Sequence, residues 1–307
     1  MRARSTFGLK SITSGSGASP GSLDSKDAPV LDRAIGDFLR RARELTDEQI
    51  DLILAHQREH GLRFGEAAIA LKLASRDDVL WALSQQFHYP YAPGDGTSFN
   101  PELVAAVDPF NVQSEAIRGV RAQLMLGVMA PDQPRRALAV VSPNAGDGKS
   151  FFAANLAITF SQLGSRTLLI DADMRTPRQH LLFGVPNEAG LSSILAGRAE
   201  TSAIHLVQDL PSLFVLPVGT LPPNPLELLQ RPSFSLLLHE LMTKFDHIVV
   251  DTPASTHGSD SRVVAAKCGI AMLIGRRGTS RMKAVNGLIN EVMRASAKFA
   301  GVVINDH

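Results

Sequence analysis

The nine residues SPNAGDGKS, Ser142 to Ser150, combine small residues, a lysine and a hydroxyl in an order suited to holding phosphate. Gly146 and Gly148 supply the backbone freedom that lets successive N–H groups turn inward around an anion. Lys149 would reach the β- and γ-phosphates of a nucleotide and Ser150 would ligate Mg²⁺, while the N-terminus of a helix starting at Lys149 adds a favourable potential for anions. Asn144, Ala145, Gly146, Asp147, Gly148, Lys149, Ser150 and Phe151 are the expected nucleotide-binding residues. One departure is plain: the usual pattern has Gly six positions before the lysine, and that position is Pro143.

A second group lies in LLIDADMR, Leu168 to Arg175. Asp171 and Asp173, two apart, project to the same side of an extended chain, and ending an apolar run on two carboxylates is costly unless a cation offsets them. That pairing points to Mg²⁺ and catalysis. Arg175 would neutralise phosphate or pair with one of the carboxylates, and the motif leaves both open. In HIVVDTP, Asp251 closes another apolar run and fits the acidic residue that holds Mg²⁺ through water in phosphate-loop enzymes.

These residues need strands ending at one edge of a sheet. Six short apolar runs provide them: 137–142, 167–173, 213–219, 247–253, 269–275 and 300–306. Continuous apolar runs suit strands buried on both faces, the habit of parallel sheets covered by helices. The expected fold is α/β, a doubly wound, mostly parallel sheet over residues 108–307, with ligands at the carboxyl ends of its strands.

Upstream, Ile35, Phe38, Leu39 and Ala42 recur at helical spacing, Thr46 with Gln49 forms a capping-box signature, and Ser75 with Asp78 opens a further helix lined by Val79, Leu83 and Phe87. A small all-helical domain is expected over 30–92, followed by a linker, 93–107, rich in chain breakers. Residues 1–29 hold seven Ser, four Gly and two Pro and read as a flexible tail.

Composition narrows the partners. The 307 residues carry 31 Lys plus Arg against 30 Asp plus Glu, a net charge of +1 that offers no whole-chain attraction to nucleic acid. The single cysteine, Cys268, forms no internal disulfide and fits a reducing compartment. The longest uncharged stretch, Leu210 to Leu226, is broken by prolines, and no secretory signal is evident. A soluble, cytoplasmic chain is expected.

The three motifs, in this order, resemble the Walker A, A′ and B motifs of the bacterial tyrosine kinases, within the deviant branch of phosphate-loop ATPases that also contains the partitioning ATPases. The partitioning ATPases carry a signature lysine where this chain has Asn144. EAIRGVR, with Glu115, Arg118 and Arg121, is similar to the E-x-x-R-x-x-R helix through which the kinases close into rings, although such spacing also suits an ordinary charged helix face. GLSSILAG and LPPNPLELL carry the similarity onward. The helical domain resembles the N-terminal domain of type II secretion ATPases, a combination typical of the chain-length-determinant kinases of exopolysaccharide operons. Some relatives of that domain bind cyclic di-GMP. This chain keeps Arg63, Gly65 and Gln86 of their pattern but has Phe64, Ala68, Lys72 and Ala74 at its other positions, so a partner-docking module is favoured over dinucleotide binding.

The resemblance implies transfer of the ATP γ-phosphoryl group to tyrosine. Lys149, Asp171, Asp173 and Asp251 would be catalytic, with Ser150, Asp171 and Asp251 holding Mg²⁺ and Asp173 drawing the phenol proton. Asn305 would contact the adenine edge. The family's C-terminal tyrosine cluster has no counterpart before His307, and the two tyrosines of the chain are Tyr89 and Tyr91. They are candidate phosphoacceptors in trans, against which stands simple packing in the helical domain; another protein as substrate, or an ATP-operated assembly switch of the export machinery without kinase activity, are the alternatives. A separate membrane chain-length-determinant protein is implied as activator, holding the chain at the inner face of the membrane.

Overall fold

The computed structural model describes residues 35–40, 43–86, 99–198, 201–295 and 297–306. The expected tail 1–29, Tyr89, Tyr91 and Phe87 lie outside them. The chain divides into two compact units between Ser75 and Arg76.

In the first unit, helix α1 (Asp47–His60) begins as its sequence dictates. Thr46 Oγ1 accepts from the Gln49 amide and Gln49 Oε1 accepts from the Thr46 amide, at 3.3 and 3.0 Å, satisfying two orphan donors. It ends at Gly61, whose φ of 64° is the left-handed conformation glycine adopts cheaply. Helix α2 (Phe64–Ala70) buries Phe64, Gly65, Ala67 and Ala68, and with Ile35, Leu39 and Ile53 these form a small core. Phe64 and Ala68, which replace residues of the dinucleotide-binding pattern, are therefore packing residues.

The expected boundary near residue 92 is not where the units part. Helix α3 (Arg76–Gln86) groups with the second unit, in which Arg76 pairs with Asp108 at 3.4 Å. Its buried positions are Leu80, Ala82 and Ser84, while Val79 and Leu83, the expected lining, are half-buried.

The second unit then runs α4 (Val104–Val107), α5 (Val112–Leu126), β1 (Ala137–Val141), α6 (Lys149–Ser161), β2 (Thr167–Asp171), α7 (Gln179–Phe183), α8 (Leu191–Leu195), β3 (His205–Leu206), β4 (Leu213–Leu216), α9 (Pro225–Gln230), α10 (Pro232–Lys244), β5 (His247–Asp251), α11 (Asp260–Cys268), β6 (Gly269–Arg276), α12 (Met282–Arg294) and β7 (Lys298–Asn305). The sheet order is β3-β4-β2-β5-β1-β6-β7, parallel throughout except for β3, a two-residue edge strand without a counterpart among the expected runs.

Alternation decides which layer each side chain joins. Ala137, Ala139, Val141, Leu168, Ile170, Ile248 and Val250 enter the core on one face; Leu138, Val140, Leu169 and Val249 enter the other. Both faces are thus covered, which is why the strands read as unbroken apolar runs. Helix α6 lies in the second layer with every residue except Phe151 buried. Within it, buried Asn155 accepts from the Ala105 amide at 2.9 Å and donates to the Glu102 carbonyl at 2.8 Å, anchoring the segment that leads into α4. The sheet therefore sets β2, β5 and β1 side by side, with the three motifs at their carboxyl ends.

Candidate nucleotide site

The loop between β1 and α6 takes its shape from its glycines. Gly146 and Gly148 have φ of 81° and 96°, and the exposed tip at Ala145 and Gly146 leaves room for a ligand. Asp147 turns inward and is fully buried: Oδ2 accepts from the Asn144 amide at 2.8 Å and Oδ1 accepts from Ser280 Oγ at 2.8 Å. Its carboxylate braces the loop, a role different from the nucleotide contact expected of it. Ser142 Oγ donates to the Asn144 carbonyl, and the Ser255 amide donates to the Ser142 carbonyl, so the segment after β5 supports the loop from behind. Pro143 joins this support through its carbonyl, which accepts from Ser255 Oγ at 3.1 Å.

Lys149 opens α6, almost buried, with Nζ 3.7 Å from Asp173 Oδ2. Asp173 lies just past β2; Oδ1 accepts from the Arg175 and Thr176 amides and Oδ2 from the Thr176 hydroxyl. Asp171 and Asp251 are register partners on β2 and β5. Asp171 Oδ1 accepts from the Asp173 amide, and Oδ2 from the amides of Arg178 and Gln179, at 3.0 to 3.1 Å. Burial and the neighbouring Asp251 carboxylate hold the Asp171 carboxyl well above the usual range. Burial also raises Asp251, opposed by the Lys149 ammonium and the Ser150 hydroxyl. One oxygen of Asp251, Oδ1, is buried with no hydrogen-bond partner.

Gln179, absent from the sequence reading, ties these groups together. Fully buried at the start of α7, its Nε2 donates to Asp251 Oδ2 at 2.8 Å and to the Ser150 carbonyl at 3.1 Å, while its amide serves Asp171. Only a polar residue soon after an acidic strand end could have hinted at it.

Arg175 pairs with a carboxylate, but with neither of those in its own motif. Its guanidinium meets buried Asp260, on α11, at 3.0 Å from NH2 and 3.3 Å from Nε. Asn305, at the end of β7, donates Nδ2 to the Asp147 carbonyl at 3.2 Å and fills the space a Cβ on Gly148 would occupy. On α5, Arg118 pairs with Glu115 at 3.0 Å, and Arg121 NH1 donates to the Thr159 carbonyl of α6.

The residues fit a divalent ion: two neighbouring buried carboxylates with raised affinity for protons, one orphaned carboxylate oxygen and a hydroxyl beside it are a hard-oxygen donor set in need of positive charge.

A glycine-turned loop between a strand and a helix, with acidic residues at two neighbouring strand ends, defines a phosphate-loop nucleotide-binding domain. Residues 138–307 match the model of the CobQ/CobB/MinD/ParA nucleotide binding domain. CapB of Staphylococcus aureus, a tyrosine-protein kinase by name, is 34% identical over 200 residues, which are 64% of this chain and 86% of CapB. The tyrosine-protein kinase Wzc of Salmonella typhimurium is 33% identical over 204 residues, 66% of this chain but 28% of Wzc. The kinase domain of the Escherichia coli tyrosine kinase Etk superposes with a TM-score of 0.64 at 32% identity, covering 68% of this chain and 81% of that domain. The chain belongs to the CobQ/CobB/MinD/ParA nucleotide-binding family, in its bacterial tyrosine-kinase branch.

Proposed function

We propose that the chain is an ATP-dependent protein-tyrosine kinase that regulates exopolysaccharide chain length or export. The convergence of Lys149, Asp173 and the Asp171–Asp251 pair on one sheet edge carries this reading. Lys149 and the loop amides meet the charge of the phosphates, and Ser150, Asp171 and Asp251 would hold Mg²⁺. When bound there, Mg²⁺ supplies charge neutralisation at the phosphate oxygens. The Lys149 ammonium, 3.7 Å from Asp173 Oδ2, would serve the phosphates, with Asp173 Oδ2 placed to accept the phenol proton. The tyrosine oxygen then bonds to the γ-phosphorus, the bond from that phosphorus to the bridging oxygen breaks, and ADP leaves with both electrons of that bond. Asn305, already against the loop at Gly148, is the candidate for the adenine edge.

Among the described residues, no helix is long and apolar enough to cross a membrane, which is consistent with activation by a separate membrane chain-length-determinant protein that recruits the chain. Ring closure through Glu115, Arg118 and Arg121 would require Arg121 to leave the Thr159 carbonyl.

The scarcity of tyrosine, two in 307 residues, favours a second reading, an ATP-operated assembly switch without kinase activity. Incubation with Mg²⁺ and γ-labelled ATP, with and without the partner's cytoplasmic tail, separates them. Kinase activity predicts label on tyrosine of Tyr89, Tyr91 or an added substrate, lost in Lys149→Met; the switch predicts nucleotide binding with no protein label.

A further inference from the structure

Outside the nucleotide site, one group of side chains is arranged as ligands. His56, Glu59 and His60 stand three and four positions apart on α1, and each offers a ligand atom within 4.8 Å of the others. That spacing puts Glu59 and His60 one turn from His56 on the same side of the helix, His56 half-buried and the other two exposed.

Three details fit this face to a cation. The His60 Nδ1 lies 3.1 Å from the His56 carbonyl, which only accepts, so Nδ1 carries the proton and Nε2 keeps its lone pair for a metal. The two imidazole rings lie 4.1 Å apart at 34°, which keeps a nitrogen of each within reach of one ion. The trio also closes the C-terminal turn of a 14-residue helix, where unpaired carbonyls favour positive charge.

We propose that His56, Glu59 and His60 form a binding site for a divalent transition ion of the zinc class, separate from the Mg²⁺ of the nucleotide site. Two imidazoles and a carboxylate select zinc-class ions over Mg²⁺, which prefers an all-oxygen shell. With three protein ligands, a fourth position is left for water or for a side chain of another molecule.

The test uses the full-length, nucleotide-free chain in excess Mg²⁺, which occupies the carboxylates around Asp251. Co²⁺ is added as a spectroscopic probe and then displaced by Zn²⁺, followed by visible absorption and calorimetry. One saturable equivalent of Co²⁺ with a visible band, displaced by Zn²⁺, is expected in the wild type and in a His239→Ala control, which removes an exposed histidine elsewhere. The band should vanish in a His56→Ala/His60→Ala variant, and Glu59→Gln should weaken binding at least as much as the roughly 10-fold loss typical of a removed supporting group. No saturable binding by the wild type, or equal binding by the double variant, would overturn the site. Unchanged affinity in Glu59→Gln would remove the carboxylate from it.

Discussion

Asp171 on β2 and Asp251 on β5 are direct register partners; burial raises the demand of both for a proton or a cation, and the Asp251 carboxylate adds to that of Asp171. The strand ends store a repulsion that a bound metal and nucleotide relieve. Asp251→Asn keeps an oxygen to accept from Gln179 and turns an amide toward Asp171. It should raise the melting temperature of the nucleotide-free protein by ~2–4 °C, the shift that about 1 kcal/mol produces in a domain of this size. Mg²⁺-dependent nucleotide binding should be lost in the same variant. Calorimetric melting and nucleotide titration measure both, and a variant that melts lower would contradict the stored repulsion.

The same pair fixes a pH dependence. A carboxyl whose folded pKa is raised contributes stability that is present below its unfolded pKa and is lost as pH rises through the folded one. As pH falls through the raised folded pKa values toward the ordinary carboxylate range, the protein without nucleotide should gain stability from this pair, while Mg²⁺-nucleotide affinity falls because metal and proton compete. The affinity loss should disappear when Mg²⁺ is omitted.

Gln179→Ala leaves Asp251 Oδ2 and the Ser150 carbonyl without their shared donor. A buried acceptor left unsatisfied costs about 1–3 kcal/mol. Urea unfolding should show that loss, and the KM for Mg²⁺-ATP should rise. Gln179→Glu should bind Mg²⁺-ATP more weakly still, since it replaces the donor with another buried carboxylate facing Asp251. A glutamate variant equal to wild type would remove Gln179 from the site.

The two loop glycines should not respond equally. At Gly146 a Cβ meets nothing within 4 Å, so Gly146→Ala suffers only the left-handed backbone, about 1–2 kcal/mol. At Gly148 the same atom would lie 2.3 Å from Asn305 Nδ2. Gly148→Ala should lose more stability and weaken nucleotide binding further, and the Asn305→Ala background should restore part of both.

Burial against Phe160, whose ring stacks on His247 at 4.3 Å, lowers the His247 pKa, helped by Arg135 and Arg121 and opposed by Asp246. Stability from a lowered histidine is present above its unfolded pKa of about 6.5 and is lost as pH falls below it. His247→Phe should keep the stack and reduce the fall in melting temperature between about pH 7 and about pH 5. An unchanged fall would place that acid sensitivity elsewhere.

The phosphate loop and the six parallel strands were legible because their causes are local. Glycine conformations, unbroken apolar runs and carboxylates at strand ends leave traces within a few residues of sequence. Gln179, Asp260 and Ser280 were far less so, since each gains its role from a partner 72, 85 or 133 positions away. The motif left open whether Arg175 meets phosphate or a carboxylate, and its partner, Asp260, lies outside that motif, just as Ser280 lies outside the loop that Asp147 braces. The unit boundary at Ser75 was missed for a related reason: α3 has the helical spacing of its predecessors, and spacing does not reveal on which body a helix packs.

The most direct test of the phosphotransfer account is Asp173→Asn in the labelled-ATP assay, read together with nucleotide affinity. The account predicts Mg²⁺-ATP binding within about threefold of wild type and phosphotyrosine formation reduced roughly 100-fold or more, the scale of a lost general base. Phosphotyrosine formed at the wild-type rate by Asp173→Asn would contradict it.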